Sequence, residues 1–195
     1  MKCFTWALSL VMASWAPAGA GEADAKVAEL ISGMRVGPLM RLDIGVTRTG
    51  MLIPALVTEE DLDLQTRKTR VLLVNFGRLS EPAVSVGATL KWFYGSDEAA
   101  EYRKRFVLSA VPVANPDGWA AKRIDSGNLS GGTPATAYPP QGTAYSDPKN
   151  PEAHYLWRWI GISAPDLVVE IGGGTRPALF VPRTELSEMK PLIAL

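Results

Sequence analysis

The chain has 195 residues, of which 20 are Lys or Arg and 20 are Asp or Glu, so its formal net charge is zero. This balance leaves no excess of basic residues for a nucleic-acid surface and argues against nucleic-acid binding. The chain has one histidine, His154, which limits metal and acid–base chemistry, and one cysteine, Cys3, which leaves no partner for a disulfide.

The first 20 residues have the pattern of a secretory signal peptide. Lys2 precedes an apolar run, Cys3–Trp15, and Ala18-Gly19-Ala20 supplies the small residues of a cleavage site. The run is shorter than the roughly 20 residues that span a bilayer, so we expect no stable membrane anchor. The sequence therefore predicts cleavage near Ala20, a secreted or periplasmic protein, and one domain over residues 21–195.

The next segments predict a helix and a hairpin. "ADAKVAELISGM" repeats apolar residues at helical spacing, and "LMRLDIGVTR" and "MLIPALVT" are strand-like runs around Thr49-Gly50. Pro54 favours an edge position for the second of these strands. Glu59–Arg70 is predicted to be a charged connection.

Three apolar runs then alternate with helical patterns. "RVLLVNF", "FVLSAVPVA" and "PDLVVEI" are typical of strands that are buried on both faces. "EPAVSVGATLKWFYGS", "DEAAEYRKR" and "PEAHYLWRWIGI" predict helices between them. Asn115-Pro116-Asp117-Gly118 reads as a turn, followed by a long loop, Trp119–Asn150. The order predicts an α/β fold with a mixed, mostly parallel central sheet and helices on both faces.

In such a sheet the ligand site lies beyond the carboxyl ends of the strands. Three segments follow the ends of the predicted central strands, namely Gly77–Glu81, Asn115–Trp119 and Gly172–Thr175. We therefore expect the functional residues to lie among these segments.

The three strand ends resemble those of the zinc carboxypeptidase family. The resemblance rests on "VLLVNFGRLSEPAV", "VPVANPDGW" and "PEAHYLWRWIGISAPDLVVEIGGG", which occur in the family's order. In the family a Gly-x-His-x-x-Glu turn gives two zinc ligands, an Asn-Pro-Asp-Gly turn follows the next strand, and a later strand ends in a third ligand, a histidine. The resemblance implies zinc-activated water that attacks C-terminal peptide or amide bonds, a peptide-like substrate, and a domain that is incomplete at the carboxyl end.

The resemblance also shows where this chain departs from the family. Glu81 aligns with a metal ligand, but Arg78 and Gly172 stand at the other two ligand positions. A guanidinium has no lone pair to give to zinc, and glycine has no side chain. We therefore expect zinc to be the family's cofactor but not to be bound by this chain. Arg123 is the candidate anchor for a substrate carboxylate, and a solvated loop charge is the alternative for this residue.

Two functional hypotheses follow. The chain is either an inactive or fragmentary copy of an exported metallocarboxypeptidase, or a non-catalytic secreted module that binds peptide or cell-wall material. A secreted α/β domain without a retained site is a third option.

Ordinary structural roles also stay open for the residues singled out. Glu81 is also explained as a first-turn helix acid, or as a partner of Arg78 in a salt bridge. Asp117 is expected to cap its own turn, and His154 to be a half-exposed helix residue. Gly172–Gly174 fits either an anion cradle or a flexible strand exit.

Overall fold

A computed structural model describes residues 20–75, 80–121 and 150–172. Within these ranges the chain forms helices and strands in alternation after an opening hairpin. In chain order they are α1 (Ala20–Met34), β1 (Met40–Val46), β2 (Leu52–Val57), α2 (Glu59–Leu62), β3 (Thr69–Val74), α3 (Ser80–Gly95), α4 (Ala100–Arg103), β4 (Phe106–Val111), α5 (Pro116–Ala121), α6 (Pro151–Ser163) and β5 (Leu167–Glu170).

The five strands form one mixed sheet in the order β1-β2-β4-β3-β5. β2 is antiparallel to β1 and to β4, whereas β3 is parallel to both β4 and β5. Four strands therefore run in one direction, and their carboxyl ends, at Val46, Val74, Val111 and Glu170, lie along one edge. This edge is called the carboxyl edge below. The predicted mixed and mostly parallel sheet is confirmed.

Two apolar cores cover the two faces of the sheet. In β3, Val71 and Leu73 pack with α1 and α3 on one face, and Leu72 and Val74 pack with Leu156 of α6 on the other. Successive side chains of a strand point to opposite faces, so a strand between two helical layers needs apolar residues at every position. The run "RVLLVNF" has this pattern because helices lie on both faces, as predicted.

The helix ends have recognisable local causes. The Asn150 side chain accepts a hydrogen bond from the Ala153 amide (3.3 Å), and Pro151 opens α6 at a position where its missing N–H costs nothing. α6 ends at Ser163, and its C-cap residue Ala164 adopts a left-handed conformation (φ 44°). The predicted helices α1, α3 and α6 are all present.

Several local predictions were wrong. Pro54 is not on an edge strand, because β2 lies between β1 and β4; it pairs with Asp43 beside a register shift in β1, where a missing N–H is tolerated. The connection Glu59–Arg70 contains helix α2, whose N-cap Thr58 accepts from the Asp61 amide (3.0 Å). The segment "DEAAEYRKR" forms only the four residues of α4.

Candidate ligand site at the carboxyl edge

Hydrogen bonds join the strand ends at the carboxyl edge. The Asn75 amide donates to the Val111 carbonyl (3.1 Å), and the Ala114 amide donates to the Asn75 carbonyl (3.1 Å). The Asn75 side chain adds a bond to the Pro112 carbonyl (3.0 Å), and the Ile171 amide donates to Val74 (2.8 Å). The ends of β3, β4 and β5 therefore lie side by side, as expected for a site that draws on all three.

Asn115-Pro116-Asp117-Gly118 is the start of a helix and not a β-turn. Pro116 is the first residue of α5, and the Asn115 side chain accepts a hydrogen bond from the Gly118 amide (3.0 Å). The Trp119 amide donates to the Asn115 carbonyl (3.0 Å), which begins the helical pattern. The turn prediction was therefore wrong, because Asn-Pro followed by Asp is also an N-cap and first-turn pattern. Residues 119–121 of the predicted long loop belong to α5, and residues 122–149 lie outside the described part of the chain.

The carboxylate of Asp117 holds the tip of the β1–β2 hairpin. The Thr47 hydroxyl donates to Asp117 Oδ1 (2.8 Å), the Thr49 hydroxyl donates to the same oxygen, and the Thr49 amide donates to Oδ2 (3.4 Å). Asp117 is buried, with 3% of its surface exposed. The expectation that Asp117 caps its own turn was wrong, because the side chain is directed across the molecule to the hairpin.

Glu152 is a second buried carboxylate behind the same hairpin tip. It lies in the first turn of α6, is completely buried, and its Oε1 accepts from the Arg48 amide (3.4 Å). Burial raises the pKa of Glu152, and the nearby charge of Asp117 raises it further, whereas its own amide, the Arg48 amide and the charge of Arg48 lower it. The net shift of this pKa is upward, and burial is its main cause.

The environment of His154 is that of a helix residue beside an arginine. It lies on α6, half-buried as expected, and its Nε2 is 3.1 Å from Nη1 of Arg158, one helical turn later. Burial lowers the pKa of His154, and the positive charge of Arg158 lowers it further. The only imidazole of the chain is therefore engaged on the helix and does not stand at a strand end.

The predicted ligand positions are only partly within the described residues. Gly172 lies two residues after the end of β5 and is exposed. Glu81 lies in the first turn of α3, but its side chain, Arg78 and Arg123 fall outside the described part of the chain. No group of three His, Cys, Asp or Glu side chains that could hold a metal occurs among the residues the structure describes. A donor set of Arg78, Glu81 and Gly172 does not fit zinc, which needs three protein ligands.

Sequence reasoning missed several polar residues at this edge. They are Thr47, Arg48 and Thr49 at the hairpin tip, the buried Glu152, and Glu170 at the end of β5, whose pKa is raised by partial burial. The run Thr-Arg-Thr at a hairpin tip was the one available signal. The local sequence does not reveal that Glu152 is buried, because an acidic residue in the first turn of a helix is common and usually exposed.

No protein-family model and no curated protein sequence matches the chain. Among solved structures, a metallo-carboxypeptidase from Burkholderia cenocepacia superposes with a TM-score of 0.65 over 87% of this chain and 48% of that one, at 18% sequence identity. The fold is that of the metallocarboxypeptidases.

Two further metallocarboxypeptidase-fold structures give the same result. A metallo-carboxypeptidase from Pseudomonas aeruginosa, in complex with (2-guanidinoethylmercapto)succinic acid, matches with a TM-score of 0.62 and 17% identity, over 85% of this chain and 46% of that one. Thrombin activatable fibrinolysis inhibitor matches with a TM-score of 0.55 and 11% identity, over 87% and 53%. The chain spans about half the length of these relatives. At such low identity the likeness establishes the fold.

Proposed function

We propose that this chain is an exported protein that binds peptides at the carboxyl edge of a carboxypeptidase-like fold without hydrolysing them by the zinc mechanism. One observation carries the proposal. At the exposed end of β5, the position that the sequence resemblance assigns to a zinc-binding histidine, this chain has Gly172. A diverged metallocarboxypeptidase that has lost its metal is the lineage this implies.

The chemistry of the ligand positions supports loss of hydrolysis. Catalytic zinc sites use three protein ligands and keep a further position open for water. Arg78 offers a permanent cation and no lone pair, and Gly172 offers no side chain. Glu81 would be left as a single carboxylate, which is too few ligands to hold zinc and activate water.

The presence of a well-formed carboxyl edge supports peptide binding. The strand ends are joined by backbone hydrogen bonds, and α/β sheets bind ligands at this edge because backbone groups and helix starts converge there. The Pseudomonas aeruginosa relative is in complex with a succinic acid derivative, and bovine thrombin-activatable fibrinolysis inhibitor with tick carboxypeptidase inhibitor. A peptide or a peptide-like cell-wall fragment is the ligand class we propose.

Export is part of the proposal and rests on residues 1–20. The apolar run and the small residues before Ala20 fit a cleaved signal, which would place the protein in the periplasm or outside the cell. Among the described residues no helix is long and apolar enough to cross a membrane.

Binding and cleavage of the same peptides test the proposal together. Peptides with a free carboxyl terminus are titrated into the purified chain by calorimetry, in buffer with zinc and in buffer with a chelator, and the recovered peptides are weighed by mass spectrometry. We expect binding that does not depend on zinc and recovered peptides of unchanged mass.

Zinc-dependent loss of C-terminal residues would contradict the proposal and show an active carboxypeptidase. Absence of binding to every peptide would also contradict it and favour a domain without a retained site. Peptides with an amidated carboxyl terminus are the matched control for recognition of the terminal carboxylate.

A further inference from the structure

The tip of the β1–β2 hairpin is a fixed part of the carboxyl edge. β1 ends at Val46, and the tip follows immediately. The Thr47 amide donates to the Met51 carbonyl (2.8 Å), the Gly50 amide donates to the Thr47 carbonyl (3.1 Å), and Gly50 has the positive φ (90°) that such a tight turn requires. The hairpin therefore closes with its own backbone hydrogen bonds.

Two buried carboxylates add further bonds to this tip. Asp117 binds Thr47 and Thr49, and Glu152 binds the amide of Arg48, which lies between them. Burying a carboxylate costs free energy even when it is hydrogen-bonded. The backbone from Thr47 to Thr49 is thus held by these two carboxylates in addition to the hydrogen bonds that close the hairpin.

The side chain of Arg48 is exposed at the tip. Among the described residues its guanidinium takes part in none of the ion pairs, and its charge acts on Glu152 only by lowering the pKa of that acid slightly. Other arginines of the sheet are engaged: Arg41 binds Asp43 (2.7 Å), and Arg70 binds the Ser163 carbonyl (2.8 Å). A guanidinium is planar and rigid, and it can bind a carboxylate through two parallel hydrogen bonds. It therefore loses less conformational entropy per hydrogen bond than a lysine side chain would.

The acids behind the tip form no ion pair with the guanidinium of Arg48 among the described residues. The oxygens of Asp117 accept hydrogen bonds from the two threonines. Burial raises the pKa of Glu152, and the charge of Arg48 is the smallest of the effects that lower it. The exposed guanidinium can therefore still donate hydrogen bonds to an incoming anion.

We propose that Arg48 binds an acidic side chain of the peptide ligand at the carboxyl edge, and that Asp117 and Glu152 are the positioning residues that hold it there. This inference rests on the proposed function and names a specificity of the same site, a preference for acidic peptides.

Matched peptides measure this preference directly. In one series a single Glu is moved along the peptide, and in the other Gln replaces it. At low salt we expect one Glu position to improve affinity by roughly two- to fivefold, as for one exposed charge pair, and the gain to shrink at high salt.

Four variants of the full chain assign the preference to Arg48. R48Q is expected to abolish the Glu preference, so that it binds the Glu and Gln peptides equally, and R48K to keep only part of the preference. R105Q is the control, because Arg105 is an exposed arginine that precedes β4 at the opposite edge. D117N is expected to lower the affinity for the Glu peptide more than the affinity for the Gln peptide, whereas a merely structural role would lower both equally.

The outcomes separate this inference from the proposed function. If R48Q keeps the Glu preference, or if the unaltered chain binds Glu and Gln peptides equally, the inference is overturned and peptide binding stands. If neither series binds, the proposed function fails and the inference fails with it.

Discussion

Asp117 shows how a single residue ties the opening hairpin to the carboxyl edge. Its carboxylate accepts from two hydroxyls and one amide, all from residues about 70 positions earlier in the chain. A buried carboxylate is tolerated when hydrogen-bond donors surround it. Replacing the carboxylate leaves those donors without acceptors. Asp117 is therefore expected to matter for stability irrespective of any ligand.

Replacing Asp117 by Asn tests this role. The amide keeps the size of the side chain but turns one acceptor oxygen into a donor that faces a backbone N–H or two hydroxyls. We expect D117N to lower the free energy of unfolding by about 1–3 kcal/mol, measured by urea denaturation. The control D97N changes an exposed aspartate and should stay within about 0.5 kcal/mol. Equal losses in the two variants would contradict the role of Asp117.

Glu152 makes the stability of the fold depend on pH. Its folded-state pKa lies above 4.5, chiefly because of burial. The folded state therefore binds its proton more tightly than the unfolded state. The stability that this contributes is complete below the unfolded pKa and is lost as pH rises through the folded pKa.

The variant E152Q should remove this dependence, because Gln cannot ionise and its oxygen still accepts from the Arg48 amide. We expect the unaltered chain to lose stability relative to E152Q as pH rises from about 4.5, by urea unfolding across a pH series. For the exposed control E98Q, the stability difference from the unaltered chain should change much less with pH. A constant difference between E152Q and the unaltered chain at all pH values would contradict the assignment.

At the scale of elements, the contact between α6 and β1 depends on a glycine. A Cβ built on Gly45 would lie 2.1 Å from Cγ of Tyr155, so the ring occupies the space that any other residue would fill. Gly45 lies at the register shift of β1, opposite Ile53. The backbone of β1 can therefore approach α6 closely at Gly45.

We expect G45A to reduce the free energy of unfolding by about 1–3 kcal/mol, because either the ring or the strand must move. G33A is the control, since a Cβ there meets nothing within 4 Å on α1, and it should be neutral or stabilising by up to about 1 kcal/mol. The double variant G45A/Y155A should show a smaller cost than the sum of its single changes. An additive double variant would contradict the steric account.

The elements with a strong period were predictable from sequence, and those fixed by distant partners were not. Apolar spacing was enough to predict α1, α3, α6 and the three parallel strands. Each helix buries one apolar stripe against a core, and each of these strands buries both of its faces. Asn115 to Gly118 was mistaken for a turn because turn and N-cap chemistry use the same residues. The bonds of Asp117 to the hairpin and the burial of Glu152 join residues about 70 to 100 positions apart, which no local pattern encodes.

At the scale of the molecule, the sheet and the chemistry of its edge have separate sequence requirements. Two apolar cores and four strands in one direction reproduce the fold of the metallocarboxypeptidases over about half of their length. Catalytic zinc requires three protein donors, and the positions that the resemblance assigns to two of them hold Arg78 and Gly172. One fold can carry different functions, because packing holds the sheet together and the chemistry depends on separate site residues.

The most direct test of this account is the zinc content of the purified chain after dialysis against zinc, measured by elemental analysis. We expect almost none in the unaltered chain, and about one zinc per chain in R78H/G172H, which would restore two ligands beside Glu81. Adding E81Q to that variant should remove most of the metal. One zinc per unaltered chain would contradict the account, because Arg78 and Gly172 could not then be the ligand positions.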